Sequence, residues 1–273
     1  MTEHAPDWYP DPGGKHELRY YDGTKWTDDV SNHGRQSTDA LLSGGSVPTT
    51  GATSEKIQSQ VTDTAGVQSG VSGGGTIWDE PVLVVNQKAK LLEVNTEYAI
   101  YDQNGTQIGA IRQVGQSALK KVARFVSSLD QFMTHSLQLV DTHGVVQLTV
   151  TRPAKFMKSK VLVSDASGNQ IGSIVQKNMM GKIRFALEGS AGEIGTLNGE
   201  NWRAWNFNLQ DSEGTEVARI TKTWEGLAKT MFTTADNYVL QIHRPLEEPL
   251  RSLVIASAVS VDLALKQDSR GLG

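Results

Sequence analysis

Cationic side chains interleaved with apolar ones are the groups in this chain best suited to chemistry, and the chemistry they suit is contact with an anionic lipid surface. Arg152, Lys155, Lys158 and Lys160 fall in one short run without an acid, with Phe156 and Met157 between them. Lys120, Lys121 and Arg124 sit in a stretch whose Leu119, Val122, Ala123 and Val126 have helical spacing. Each cation held near an anionic bilayer contributes about 1 kcal/mol. Lysines on a strand edge also guard against sheet-to-sheet aggregation, so the same run suits a solvated edge. Trp202 and Trp205 suit either interfacial anchoring or packing on a sheet, since they alternate with Phe207 and Leu209.

Bond-breaking chemistry finds no support. The six histidines, at 4, 16, 33, 135, 143 and 243, lack metal-ligand spacing. Residues 70–74 spell G-x-S-x-G, but no strand precedes them and no helix follows, as a nucleophile elbow requires. Asp102, Asp141, Asp165 and Asp211 open D-x-x-G turns, where a carboxylate caps its own backbone. We therefore expect no classical enzyme. The absence of cysteine excludes disulfides and cysteine–zinc sites. A net charge of -4 gives no reason to expect nucleic acid as a partner. The start, MTEHAPDWYP, lacks a basic-then-apolar segment, so cytoplasmic residence is the default expectation.

The elements that must position these residues repeat. The turns at 141, 165, 188 and 211 are each followed by strand-like alternation, as is the one at 102. Ile108-Gly109, Ile171-Gly172 and Ile194-Gly195 recur after them. Each unit holds two strands with D-x-x-G as the hairpin tip. Such a meander needs its edges removed, and closing the sheet does so. The stretch Pro249–Lys266 is apolar in nearly every direction at helical spacing. Burying its eight large aliphatics is worth roughly 12–24 kcal/mol gross. Arg251 and Asp262 shorten its uncharged run below a membrane span of about 20 residues. Five or six such hairpins give ten to twelve strands, and a closed sheet of eleven or so can hold one helix along its axis. We expect Leu253, Val254, Ile255, Val259 and Val261 to fill that lumen.

Ahead of the repeats lie two other pieces. Residues 6–29 carry Trp8, Tyr9, Tyr20, Tyr21 and Trp26 around D-P-G-G and D-G turns, predicting a miniature sheet of two or three strands whose aromatics form its small core or in part face outward as a binding platform. Residues 30–76 are rich in Gly, Ser, Thr and Gln and lack aromatics, predicting a flexible tether.

Two resemblances follow from particular motifs. W-Y-x-D-P and L-R-Y-Y-D-G-x-x-W-T in residues 8–27 closely resemble the DUF2510 module of actinobacterial proteins. Lys222-Thr223-Trp224-Glu225-Gly226, Ala235-Asp236-Asn237-Tyr238, Thr151-Arg152-Pro153 and the apolar helix resemble the phospholipid scramblase family across about 80–267. The second resemblance implies a tubby-like fold, shared with LURP-one-related proteins: a closed, antiparallel twelve-stranded barrel around a buried C-terminal helix, here 77–268 with the helix at 249–266. It also implies membrane association and movement of phospholipid between leaflets. The alternative is a non-enzymatic adaptor that binds anionic lipid, with the N-terminal module holding a protein partner. The family's palmitoylated cysteines are absent, so any association would be peripheral. Its calcium segment aligns onto Thr234–Pro245, where Asp236 alone keeps its acid. Glu247 and Glu248 lie just beyond and would have to complete a calcium site.

Overall fold

A computed structural model describes residues 5–11, 16–23, 26–32, 34–38, 52–68, 70, 73–87, 97–114, 135–153, 159–178, 182–200, 206–223 and 237–268. Strands β1 (Asp7–Pro10), β2 (Leu18–Tyr21), β3 (Trp26–Asn32) and β4 (Arg35–Thr38) form a four-stranded antiparallel sheet. Trp8 stands opposite Tyr20, with ring centroids 5.5 Å apart. These rings are only half-buried. What is enclosed instead is Val30 and an ion pair, Arg19 Nε donating to Asp11 Oδ1 at 2.8 Å while Arg19 Nη1 donates to the Thr27 carbonyl. The half-buried rings fit the expectation that some aromatics face outward, an ion pair is enclosed beneath them, and the sheet runs past residue 29 to Thr38.

Twelve further strands follow: β5 (Val82–Gln87), β6 (Glu97–Tyr101), β7 (Gln107–Val114), β8 (His135–Asp141), β9 (Val146–Arg152) and β10 (Lys160–Ser164), then β11 (Gln170–Gln176), β12 (Arg184–Gly189), β13 (Gly192–Gly199), β14 (Asn206–Asp211), β15 (Glu216–Thr223) and β16 (Asn237–Ile242). Each pairs antiparallel with the next, and β16 pairs with β5 to close the barrel, Val239 opposite Val84 and Leu240 opposite Leu83. No barrel strand is left as an edge, the solution the repeat count called for.

Because the strands run alternately up and down, every D-x-x-G tip lies at one end, here the hairpin end. At each tip Asp Oδ1 accepts two backbone N–H groups. For Asp165 these come from Ser167 and Asn169, both at 2.9 Å; for Asp211 they come from Glu213 at 3.0 Å and Thr215 at 2.9 Å. Gly168 takes φ +85°, which a side chain would strain. Each of these four tips is followed by a bulge, which adds twist.

The C-terminal helix α2 (Leu250–Asp268) enters at the hairpin end. Leu253, Val254, Ile255, Val259 and Val261 are all buried in one cluster with lumen residues of the strands. Its buried serines satisfy themselves: Ser257 Oγ donates to the Leu253 carbonyl at 2.7 Å and Ser260 Oγ to that of Ala256 at 2.8 Å. The glycines of the recurring Ile-Gly pairs share a close approach to the neighbouring strand: a Cβ on Gly109, Gly172 or Gly195 would stand 2.6, 2.6 and 2.5 Å from the carbonyl oxygens of Val140, Glu188 and Gln210. At Gly172 and Gly195 it would also press the helix, 3.0 Å from the Leu253 methyls and 3.3 Å from Leu250.

Residues 52–68 depart from the expected tether. Helix α1 (Ser54–Ser59) and a π-helical turn (Gln60–Thr64) pack Ile57, Val61 and Val67 on the barrel's outside, against Val82, Val84, Ala99, Tyr101 and Val239. They cover the β16–β5 closure. Burying three aliphatics here contributes several kcal/mol gross toward ordering a stretch that composition alone assigns to coil.

Candidate functional site

Away from the face that α1 covers, and most plainly on β13 and β14, the barrel is polar outside and apolar inside. On β13 and β14 the outward positions are Thr196, Asn198, Asn208 and Gln210, joined by hydrogen bonds such as Asn198 Nδ2 to Asn208 Oδ1 at 3.2 Å. Arg219, also outward, is half-buried between Glu200 and Glu216 at 2.7 and 2.8 Å. Desolvation pushes its pKa down, but the two carboxylates outweigh that and hold it above the ordinary guanidinium range. Barrels that cross membranes show the opposite pattern, apolar outward. Among the described residues no helix is long and apolar enough to cross a membrane.

The other end of the barrel differs. Here end the connections 88–96, 115–134, 153–159, 177–183, 200–205 and 224–236, as the strand order dictates. The lumen also turns polar at this loop end. Gln87, Arg152 and Gln176 continue the inward-facing rows of Val85, of Leu148 and Val150, and of Ile174, and all three are buried. Gln176 Oε1 accepts from Ser159 N at 3.2 Å. Lys222 continues the row of Ile220, with its Nζ 5.9 Å from the Tyr238 ring centre. Two cations thus line the lumen toward the carboxyl-terminal half of α2, the negative end of the helix dipole.

The basic run of the sequence therefore splits. Arg152 is 5 % exposed and faces the lumen, whereas Lys160, at the start of β10, is exposed and faces outward. Strand alternation separates them. Arg152 does not belong to an outer lipid-facing patch. Lys155 and Lys158 lie outside the described residues, as do Lys120, Lys121, Arg124, Trp202 and Trp205. The connections that carry all of them leave and rejoin the barrel at the loop end.

Of the three carboxylates implied for calcium, Glu247 and Glu248 fall among the described residues. Asp236 lies outside the described residues, but its neighbour Asn237 opens β16 at the loop end. Glu247 and Glu248 follow the far end of that strand, about 17 Å away by strand rise. Glu248 is otherwise engaged: it accepts from Arg251 Nε at 2.9 Å and from Ser252 N at 3.3 Å, capping the start of α2. Among the described residues no cluster of three or more histidine or acidic side chains could hold a metal.

The sequence reading missed the polar lining of the lumen at the loop end. The signal was present: Val146, Leu148 and Val150 alternate, and Arg152 continues their beat.

A meander of twelve strands closed on itself, polar outside and filled by the chain's own C-terminal helix, defines an axial-helix barrel protein. The Scramblase family model matches residues 66–265. The chain belongs to that family. A second model, described as a protein of unknown function (DUF2510), matches residues 6–39. Among curated proteins, "Altered inheritance rate of mitochondria protein 25" of Saccharomyces cerevisiae is 23% identical over 234 residues, covering 68% of this chain and 71% of its own length. A phospholipid scramblase family protein of Schizosaccharomyces pombe is 24% identical over 189 residues, 62% of this chain and 48% of its own. The chain thus spans about half the length of this second relative. No solved structure matches.

Proposed function

We propose that this protein acts peripherally on a membrane, docking its loop end on anionic phospholipid and promoting movement of phospholipid between leaflets. Membership of the Scramblase family across the whole barrel carries this reading. The printed name of the fission-yeast relative supports it. The choice of end rests on topology: the connections bearing Lys120, Lys121, Arg124, Lys155 and Lys158 meet there, beside the exposed Lys160. We take the fold to be tubby-like, as the resemblance implies. Because α2 is enclosed, a lipid path along it requires the barrel wall to part.

That enclosure also favours a second reading, an adaptor that binds anionic lipid without moving it and presents its N-terminal module to a protein partner. Vesicles decide between the two. Dithionite quenching of labelled phospholipid reports transbilayer movement, and co-sedimentation with phosphatidylserine vesicles reports docking. Binding without quenching leaves the adaptor. Lys155→Gln with Lys158→Gln should weaken binding roughly thirtyfold, at about 1 kcal/mol per cation. Unchanged binding discards the loop end as the docking face.

A further inference from the structure

A cleft of about 360 Å³ opens at the hairpin end, between the residues that lead into β5 and those that link β16 to α2. Trp78, Pro81, Ile242 and Leu246 give it apolar walls, and Arg244 and Arg251 stand at its margin. Asp79 and Glu80, also in the lining, are engaged by neighbouring groups. Glu80 accepts from the backbone N–H groups of Gly73 and Gly75, both at 2.9 Å, and Asp79 Oδ2 accepts from Thr76 Oγ1 at 2.7 Å. His243, also in the lining, lies 3.3 Å from Glu216.

Arg251 is the group this site is built around. Its guanidinium lies 5.3 Å from the Trp78 ring centre, and the Trp78 indole is itself held by its Nε1–H bond to Gln147 Oε1 at 2.9 Å. Arg251 Nε donates to Glu248, but its two terminal amino groups meet no acceptor among the described residues. Arg244 Nη2 donates to Asp211 Oδ2 at 2.8 Å. A guanidinium held over an indole, with its terminal pair of donors beside apolar walls, matches a planar or tetrahedral oxyanion with a short apolar body.

We propose that this cleft binds a small amphiphilic oxyanion, a phosphate ester or carboxylate whose head meets Arg251 and Arg244 and whose apolar part lies against Trp78 and Leu246. The site stands apart from the loop end and does not depend on whether the protein moves lipid. Since Arg251 lies in the first turn of α2, an occupant ties that helix to the barrel wall, so binding also raises the melting temperature.

The test uses the full chain with three probes: monomeric dihexanoyl phosphatidic acid, hexanoate and inorganic phosphate. Calorimetry should show saturable binding of the first or second, with a concentration-dependent rise in melting temperature. Arg251→Gln should weaken it about tenfold or more, and Arg251→Lys, which keeps the charge but not the flat pair of donors, should weaken it too. Arg244→Gln gives an independent check should Arg251→Gln unfold the chain. Lys182→Gln, an exposed residue at the opposite end, should leave binding of the monomeric probes unchanged. Competition of the bound monomer by phosphatidic acid vesicles would identify a bilayer source, and its absence a soluble one. No binding by either amphiphile, equal binding by inorganic phosphate, or binding indifferent to both arginine changes would overturn the proposal.

Discussion

The two ends of the barrel are made from the same strands and have little else in common. At the hairpin end, four turns repeat one device, an aspartate accepting two backbone N–H groups before a glycine at positive φ. That device is local, so it recurs wherever its residues do. At the loop end the connections are longer, differ from one another, and join a lumen that has turned from apolar to polar. Uniform turns tell of folding, whereas varied connections on a rigid frame are where binding concentrates. The repeated turns serve stability, and the varied connections make the loop end the face proposed above for lipid docking.

The largest effect should come from removing what the frame is built on. A chain ending at Arg244 would leave the lumen lined by Leu83, Val85, Phe185, Leu187, Phe207 and Leu240 with nothing to cover them. We expect no cooperative melt by calorimetry. A soluble, cooperatively melting product would mean that α2 is not the barrel's core. Leu253→Ala sharpens the point. It removes a fully buried side chain seated on Gly172 and should cost about 2–5 kcal/mol in denaturant unfolding.

Much of this frame was legible in the sequence for a physical reason: D-x-x-G tips are short-range, and an all-round apolar helix admits few environments. The tether was misread because Ile57, Val61 and Val67 stand alone among Ser, Gln and Thr. Their partner was written elsewhere, in the unbroken apolar run Val82–Val85. A strand with one wet face alternates, and this one does not, which signals cover on both sides. Arg152 was grouped with Lys155 by proximity along the chain, although the period of two placed it inside. The Arg251–Trp78 cleft joins residues far apart in sequence, so no spacing could have announced it.

The β16–β5 closure is where the two ends can be tested together, since it runs from one to the other beneath α1. The natural chain has no cysteine, so Val84→Cys with Val239→Cys, which are direct cross-strand partners, would give a single disulfide. Opposed Cα atoms at about 4.5–5.5 Å suit that bond. If lipid movement requires this wall to part, the oxidised protein should lose dithionite quenching, regain it on reduction, and bind vesicles alike in both states. Equal quenching in both states would show that the wall parts elsewhere or not at all.

The smallest effect lies at the tips. Asp165 is held below the ordinary carboxylate range, foremost by the backbone N–H of Asn169, which outweighs its desolvation. At Asp211 desolvation pushes upward, but the Thr215 N–H, the Arg244 guanidinium and the Glu213 N–H together bring its pKa down. A carboxyl whose folded pKa is depressed adds stability above its unfolded value, near 3.9, and loses it as pH falls through the folded one. Both tips should therefore stay capped through mild acid and loosen only below that value. Side-chain carboxyl NMR should find both midpoints below 3.9, and Arg244→Gln should raise the one at Asp211 while leaving Asp165 alone. A shift at both sites would mean that the tips are coupled through the barrel and are not set locally, which would undo the contrast between its two ends.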